Sequence, residues 1–321
     1  MYNENEKRNI AVSQKGNAIQ PAALNIHQLF PSRTKDECLV ELKKNPPLYR
    51  TYLNWPDKWK SNFLEFMEGK KSLPLTYDPF FKKLFNPDIY PERLSRLISS
   101  IIGTKVTVKC ILSNEDSMLP STSLLLLDII VQLEDGSIAN VEIQKIPYTF
   151  PGERMSCYSA DLLLRQYTRV KGERGSIFTY QDLKTVYTIV MFENSPKECK
   201  DPELSDIYLH HGRTIFNTGV NLSLLQEYYV VNLDVFKNSK YAKDINDLNA
   251  WLSLLTADST DNLTTLISNY PWMESICQDI SEYLYRPEEV ISMFSKALKK
   301  MDENTVNFMI ESVGRKGRCF V

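Results

Sequence analysis

A chain of 321 residues, 43% hydrophobic and 24% charged, has an ordinary globular composition with apolar material enough for a sizeable core, and its length suits one large domain or two modest ones. Lysine and arginine number 38 against 40 acidic residues, a net charge of −2, which excludes a protein that holds nucleic acid by bulk charge and leaves that work to a local basic patch. Six scattered cysteines (Cys38, Cys110, Cys157, Cys199, Cys277 and Cys319) form no CxxC pair, so the expectation is reduced thiols in a cytoplasmic protein rather than a zinc site or a disulfide framework.

Residues 1–20 are polar, lack the apolar segment of a secretory signal and read as a disordered tail. Residues 21–70 read as a helical N-terminal extension, with Trp55 and Trp59 four apart on one potential face and Pro46, Pro47 and Pro56 as punctuation. A core is expected over 71–237. It opens on DPFFKKLF, where Asp78 as N-cap and Pro79 as first helical residue mark a helix start and Phe81, Leu84 and Phe85 make the apolar stripe. A second helix runs from Pro91 to Ile102 and stops at Gly103. Strands are expected over Lys105–Leu112, Ser123–Leu133 and Ser137–Ile146, then a helix over Glu153–Lys171, then strands over Thr185–Phe192 and Tyr228–Phe236. His210 and His211 fall in the polar loop between those last two, with no carboxylate at ligand spacing to make them a metal site. Residues 238–321 read as a helical C-terminal region with boundaries near Pro271 and Pro287. The order predicts an α/β fold, a mixed central sheet flanked by helices. Apolar runs such as Leu124 to Leu127, broken by Asp128, are far too short to span a bilayer.

Asp128 stands inside LLLLDIIV, where an ionised carboxylate is costly unless something pairs with it. Its hairpin partner is NVEIQKI. A two-residue turn at Asp135-Gly136 sets Asp128 opposite Ile143 and sends Asp128 and Glu142 to opposite faces. A three-residue loop, Glu134-Asp135-Gly136, sets Asp128 opposite Glu142 and Leu126 opposite Gln144, and Gly136 suits the left-handed last position of such a loop. Two carboxylates so close repel, and a divalent cation relieves them; magnesium takes hard oxygen ligands and keeps waters. Gln144, two residues beyond Glu142, shares its face. The spacing fits equally a strand-edge charge at Asp128 with Glu142 and Gln144 on a solvated face.

Together DPFFKKLF, LLLLDIIVQLEDGSIANVEIQ and a following helix with Arg154, Tyr158 and Gln166-Tyr167 resemble the PD-(D/E)XK nuclease superfamily. They are most similar to its Rpn family of recombination-promoting nucleases and putative transposases, over about residues 50–237. The resemblance implies a restriction-endonuclease-like αβββαβ core. In it Asp128 and Glu142 hold magnesium, or manganese in its place, and the carbonyl of Ile143 adds a ligand. The lysine that usually orients the attacking water is here Gln144, which cannot act as a base but can position a water. The family's acidic residue on the first core helix matches Asp78, which a helix cap explains equally well; Lys82, one turn on, offers an ammonium in place of the missing lysine.

Arg154, Tyr158, Leu162 and Gln166 recur at every fourth position and make one helix stripe. Beside the site that the resemblance implies, Arg154 suits a DNA phosphate, and Tyr158 and Gln166 suit substrate or water; an amphipathic core helix has the same pattern. Arg165, Arg169, Lys171 and Arg174 form the best local basic cluster, fit either to follow a phosphate backbone or to be a solvated face. The expectation is a metal-dependent DNA endonuclease linked to recombination or mobile elements, with DNA as partner, no membrane, and a homodimer suited to double-strand cleavage. The alternatives are a catalytically weak or inactive DNA- or protein-binding module on the same fold, and an interaction protein acting through its helical C-terminus.

Overall fold

The structure, a computed structural model, describes residues 26–112, 129–145 and 150–317, with residues 303–317 as helix backbone alone. The expected tail and the expected strand segment from Ser123 to Asp128 lie outside the described residues. The N-terminal extension folds as four helices, α1 (Ile26–Leu29), α2 (Lys35–Lys43), α3 (Pro46–Leu53) and α4 (Asp57–Met67). The prolines mark starts, Pro46 and Pro47 in the first turn of α3 and Pro56 as the N-cap of α4. Trp55 falls in the link before α4 and Trp59 within α4, so they share no helix face. Both instead close on one ring, Phe294, at 5.7 Å between centroids in each case.

The next two helices are α5 (Asp78–Leu84) and α6 (Pro91–Ile102). Tyr77, not Asp78, is the N-cap of α5, and it makes no side-chain cap bond. Asp78 is the first helical residue, where a carboxylate favours the positive end of the helix dipole. Leu94, Leu97, Ile98 and Ile101 put a buried stripe on α6, and Gly103 ends it at φ 77°.

Six strands follow, β1 (Val108–Ile111), β2 (Ile129–Leu133), β3 (Ile138–Gln144), β4 (Val186–Phe192), β5 (Leu209–Arg213) and β6 (Gln226–Asn232), with α7 (Pro151–Arg174) between β3 and β4. They make one mixed sheet in the order β1-β2-β3-β4-β6-β5. β1, β2 and β3 pair antiparallel, β3, β4 and β6 parallel, and β5 closes the far edge antiparallel to β6. Two elements depart from the sequence expectation. The loop expected around His210 and His211 is β5, and the strand expected to run to Phe236 ends at Asn232, where α8 (Leu233–Asn238) begins.

β3 is buried along its whole length, as a strand paired on both sides and covered on both faces must be. Its even positions, with Ile130, Val186, Val190 and Phe192, face Met155, Tyr158 and Leu162 of α7. Its odd positions Ala139, Val141 and Ile143 enter the main core. That core also draws on α4, α5, α6 and the C-terminal helices α9 (Asp247–Thr256), α10 (Thr260–Asn269), α11 (Glu274–Glu282) and α12 (Pro287–Gly317). One continuous apolar cluster from Ile26 to Ala297 therefore joins the segments 21–70, 71–237 and 238–321. No described helix is long and apolar enough to cross a membrane.

The β2–β3 hairpin takes the three-residue loop. Gly136 stands at φ 91° and donates its N–H to the Leu133 carbonyl at 3.0 Å, and the Leu133 N–H reaches the Ser137 carbonyl at 2.8 Å. Its register runs from Gln132↔Ile138 to Ile129↔Val141.

Candidate active site

The even face of β3 carries an unusual load for a buried strand. Asn140, Glu142 and Gln144 stand on it at 0%, 1% and 7% exposure. An ionised carboxylate so enclosed needs donors, and α7 brings one. The Tyr158 hydroxyl donates to Glu142 Oε1 at 3.3 Å, and Arg154, one turn earlier on the helix, donates from Nη2 to that hydroxyl at 3.0 Å. The three form a relay from a half-exposed guanidinium to a buried carboxylate. It depends on the four-residue spacing along α7 and on the helix crossing the C-terminal end of β3. Gln144 lies one pleat further along the same face.

The second expected carboxylate, Asp128, and with it the pairing of Leu126 with Gln144, lie outside the described residues. Among the described residues no group of three or more His, Cys, Asp or Glu could hold a metal ion. What they do contribute has the right chemistry for one, since Glu142 is a buried oxygen donor of the hard type that magnesium takes. Ile143 sends its side chain into the core on the other face and keeps its carbonyl at sheet level, between Glu142 and Gln144.

Asp78 and Lys82 form an ion pair at 2.7 Å across one turn of α5, and Lys300 of α12 adds a second ammonium 3.4 Å from the same oxygen. Lys82 is thereby held by Asp78. Further along α7, Arg165 is 9% exposed and lies 2.6 Å from the buried Asp161 carboxylate. The side-chain carbonyl of Gln166 accepts the backbone N–H of Lys184 at 2.7 Å, which ties α7 to the approach to β4. Gln166 is eight residues beyond Tyr158, about 12 Å along a helix that rises 1.5 Å per residue. The stripe expected from Arg154 to Gln166 thus divides: Tyr158 meets Glu142 and Arg154 reaches it through Tyr158, while past the middle of the helix Arg165 pairs with Asp161 and Gln166 ties α7 to the approach to β4. His211, on β5, stacks on Tyr229 with centroids 4.4 Å apart and places Nε2 2.9 Å from Glu227.

Sequence reasoning passed over Lys145. It follows Gln144 directly and so leaves the strand on the opposite face. Its ammonium donates to Thr76 Oγ1 at 2.9 Å, sits 3.4 Å from the centroid of the Tyr77 ring and pairs with Glu193. Burial holds its pKa below the usual lysine value, against the pull of Glu193. Around it is a cavity of about 450 Å³ that also takes in Ser72, Asp234 and Lys237. No local pattern marks such a lysine, because its surroundings come from α4–α5, β4 and the C-terminal helices. Its anchors on the far face also keep it away from the face that carries Glu142 and Gln144.

Residues 75–307 match the family described as PD-(D/E)XK nuclease family transposase, a stretch that reaches past the sheet into α12. No curated protein and no solved structure gives a match.

Proposed function

The chain belongs to the PD-(D/E)XK nuclease family transposases, and from that premise we propose that it is a metal-dependent DNA endonuclease whose centre is built on Glu142. The observation that carries the reading is a carboxylate 1% exposed on the central strand, reached through Tyr158 by a half-exposed arginine. Our reading continues the hairpin register by one pair beyond Ile129↔Val141, which sets Asp128 across from Glu142. Asp128, Glu142 and the Ile143 carbonyl would hold the ion. Magnesium or manganese in that place supplies positive charge against the phosphodiester and makes a hydrolytic water easier to deprotonate. The chain's own groups do the rest. Gln144 orients the attacking water by accepting or donating a hydrogen bond, since its amide has no proton to trade. Arg154 makes paired hydrogen bonds to a phosphate while an N–H of Nη2 steadies Tyr158. Asp78, held by Lys82 and Lys300, sets the electrostatics at the start of α5. Arg165 and Gln166 position α7. The reaction is in-line attack of water on phosphorus with release of a sugar hydroxyl, and its setting in our reading is DNA rearrangement, which the transposase description of the family supports.

The test is nicking of supercoiled plasmid, with and without magnesium or manganese, by the wild-type chain, Glu142→Gln and Asp128→Ala. Nicking that needs the ion and disappears in both variants is the expected result. Cleavage that persists in Glu142→Gln would sink the assignment. Gln144 in the lysine position favours one second reading, a non-catalytic DNA-binding module; DNA retention by the wild-type chain without cleavage is its signature.

A further inference from the structure

Beyond the buried centre, the far end of α7 gathers three aromatic rings that no core claims. Tyr167 of α7 stacks on Tyr180 at 6.2 Å between centroids and 15° between planes, and Phe178 meets both edge-on at 5.5 and 5.6 Å. None of the three belongs to the apolar clusters on either face of the sheet. Tyr180 is 75% exposed, and the neighbouring Ile177 is 70% exposed. A large ring held in an ordered stack and turned to water, next to an exposed isoleucine, marks a contact surface.

The charge around the rings is positive in a chain whose total is −2. Lys171 donates to the Tyr167 hydroxyl at 2.8 Å with its ammonium 5.2 Å from that ring's centroid. Arg169, Arg174 and Lys184 stand on the same segment. On the described segment Glu173, 4.0 Å from Arg169, and Asp182, 3.8 Å from Arg174, answer them, and Arg169 also donates from Nη1 to Gln132 Oε1 at 3.1 Å. Four cations against two acids, beside one exposed ring and two half-buried ones, is the chemistry of single-stranded nucleic acid recognition: cations follow the phosphates while rings stack on base faces that a duplex would hide.

We propose that Tyr167, Phe178 and Tyr180, with Lys171, Arg169, Arg174 and Lys184, form a stacking platform for unpaired bases of the DNA substrate. The proposal rests on the nuclease reading above and adds a preference to it. Tyr167 lies nine residues from Tyr158, about 13 Å along α7. Those nine residues are also two and a half turns, so the platform stands on the opposite side of α7 from Tyr158, and a strand that reaches both crosses over the helix, with several nucleotides between the centre and the platform. The preferred substrate is then DNA with an unpaired stretch beside the cut rather than uninterrupted duplex.

The experiment is fluorescence anisotropy of the full chain with labelled dT20 and with a labelled 20-base-pair duplex, in EDTA so that no cleavage intervenes, beside plasmid nicking in magnesium. Tyr180→Ala, a change at an exposed position, is expected to weaken dT20 binding about tenfold or more, within the range of one lost base stack, and duplex binding far less. Tyr180→Phe, which keeps the ring, restores it. Lys171→Glu weakens both ligands and flattens their salt dependence. Unchanged dT20 affinity in Tyr180→Ala overturns the platform and leaves the rings to a protein partner, while plasmid nicking intact in the same variant keeps the nuclease reading standing. A wild-type chain that neither binds nor nicks DNA removes both.

Discussion

Glu142 is enclosed by the fold rather than presented on it, and its charge depends on what meets it. The Tyr158 hydroxyl serves two partners at once, accepting from Arg154 at 3.0 Å and donating to Glu142 at 3.3 Å. Removing that oxygen with Tyr158→Phe takes a donor from a buried carboxylate and disconnects the guanidinium, while the ring stays in place against Leu162, Ile130 and Ile138. A hydrogen bond to a charged group contributes about 1.5–3 kcal/mol, and a barrier raised by that amount slows a reaction roughly 10- to 100-fold. The expected result is a fall of that size in single-turnover nicking rate at saturating DNA, with little change in Kd. A loss confined to Kd would move Tyr158 from the centre to substrate binding.

At the scale of the element, α7 is one helix with two tasks divided between its first turns and its middle. Its first turns carry Arg154 and Tyr158 to the C-terminal end of β3; its middle buries the Asp161–Arg165 pair at 2.6 Å. Breaking a buried pair leaves one charge uncompensated and costs about 3–5 kcal/mol. Arg165→Met should therefore lower Tm and the midpoint of urea unfolding strongly, whereas Arg154→Ala should leave both near wild type and weaken DNA binding instead. Equal melting behaviour of the two variants would refute the division. Elements of this kind were legible where a local residue decides them. Gly136 announced the three-residue loop, Gly103 the end of α6, and the mixed sheet followed from the order of the periodic segments. β5 was not legible, because Leu209 is the one apolar residue in LHHGR and only pairing with β6 makes it a strand. The end of β6 was hidden as well. Leu233–Phe236 is as apolar as the strand before it, and the chain turns into α8 where Asp234 accepts hydrogen bonds from Ser195 across the sheet end. At the site, Glu142 with Gln144 was readable from alternation. That Tyr158 would meet them and Gln166 would not depends on where α7 crosses the sheet, which no spacing within the helix encodes.

For the whole molecule, the single core that ties α1 to α12 has a signature in alkali. Cys277 is fully buried in α11, and burial pushes its thiol from 9.0 up to about 12. Burial likewise carries the phenols of Tyr77 and Tyr283 from 10.0 to about 12 and raises Tyr229. In each case the unfolded chain loses its proton first, so between the two pKa values the native state binds more protons. Stability is therefore intact below pH 9 and falls as pH rises through the window from 9 to 12, by roughly 1.4 kcal/mol per pH unit per group. Lys145, whose pKa burial lowers, works in the opposite sense, one group against several. Over its whole window Cys277 alone accounts for something on the order of 4 kcal/mol. Thermal melts from pH 8 to pH 11 should show a steady fall in Tm from about pH 9, since the unfolded thiol titrates near there. Cys277→Ala should make the fall between pH 9 and pH 10 shallower, leaving there the share of Cys38 and Cys199, whose thiols burial also raises, until the unfolded tyrosines begin to ionise near pH 10. A variant whose profile follows the wild type through that first step would show the thiol to be open to solvent and the packing of α11 in the main core to be looser than described above.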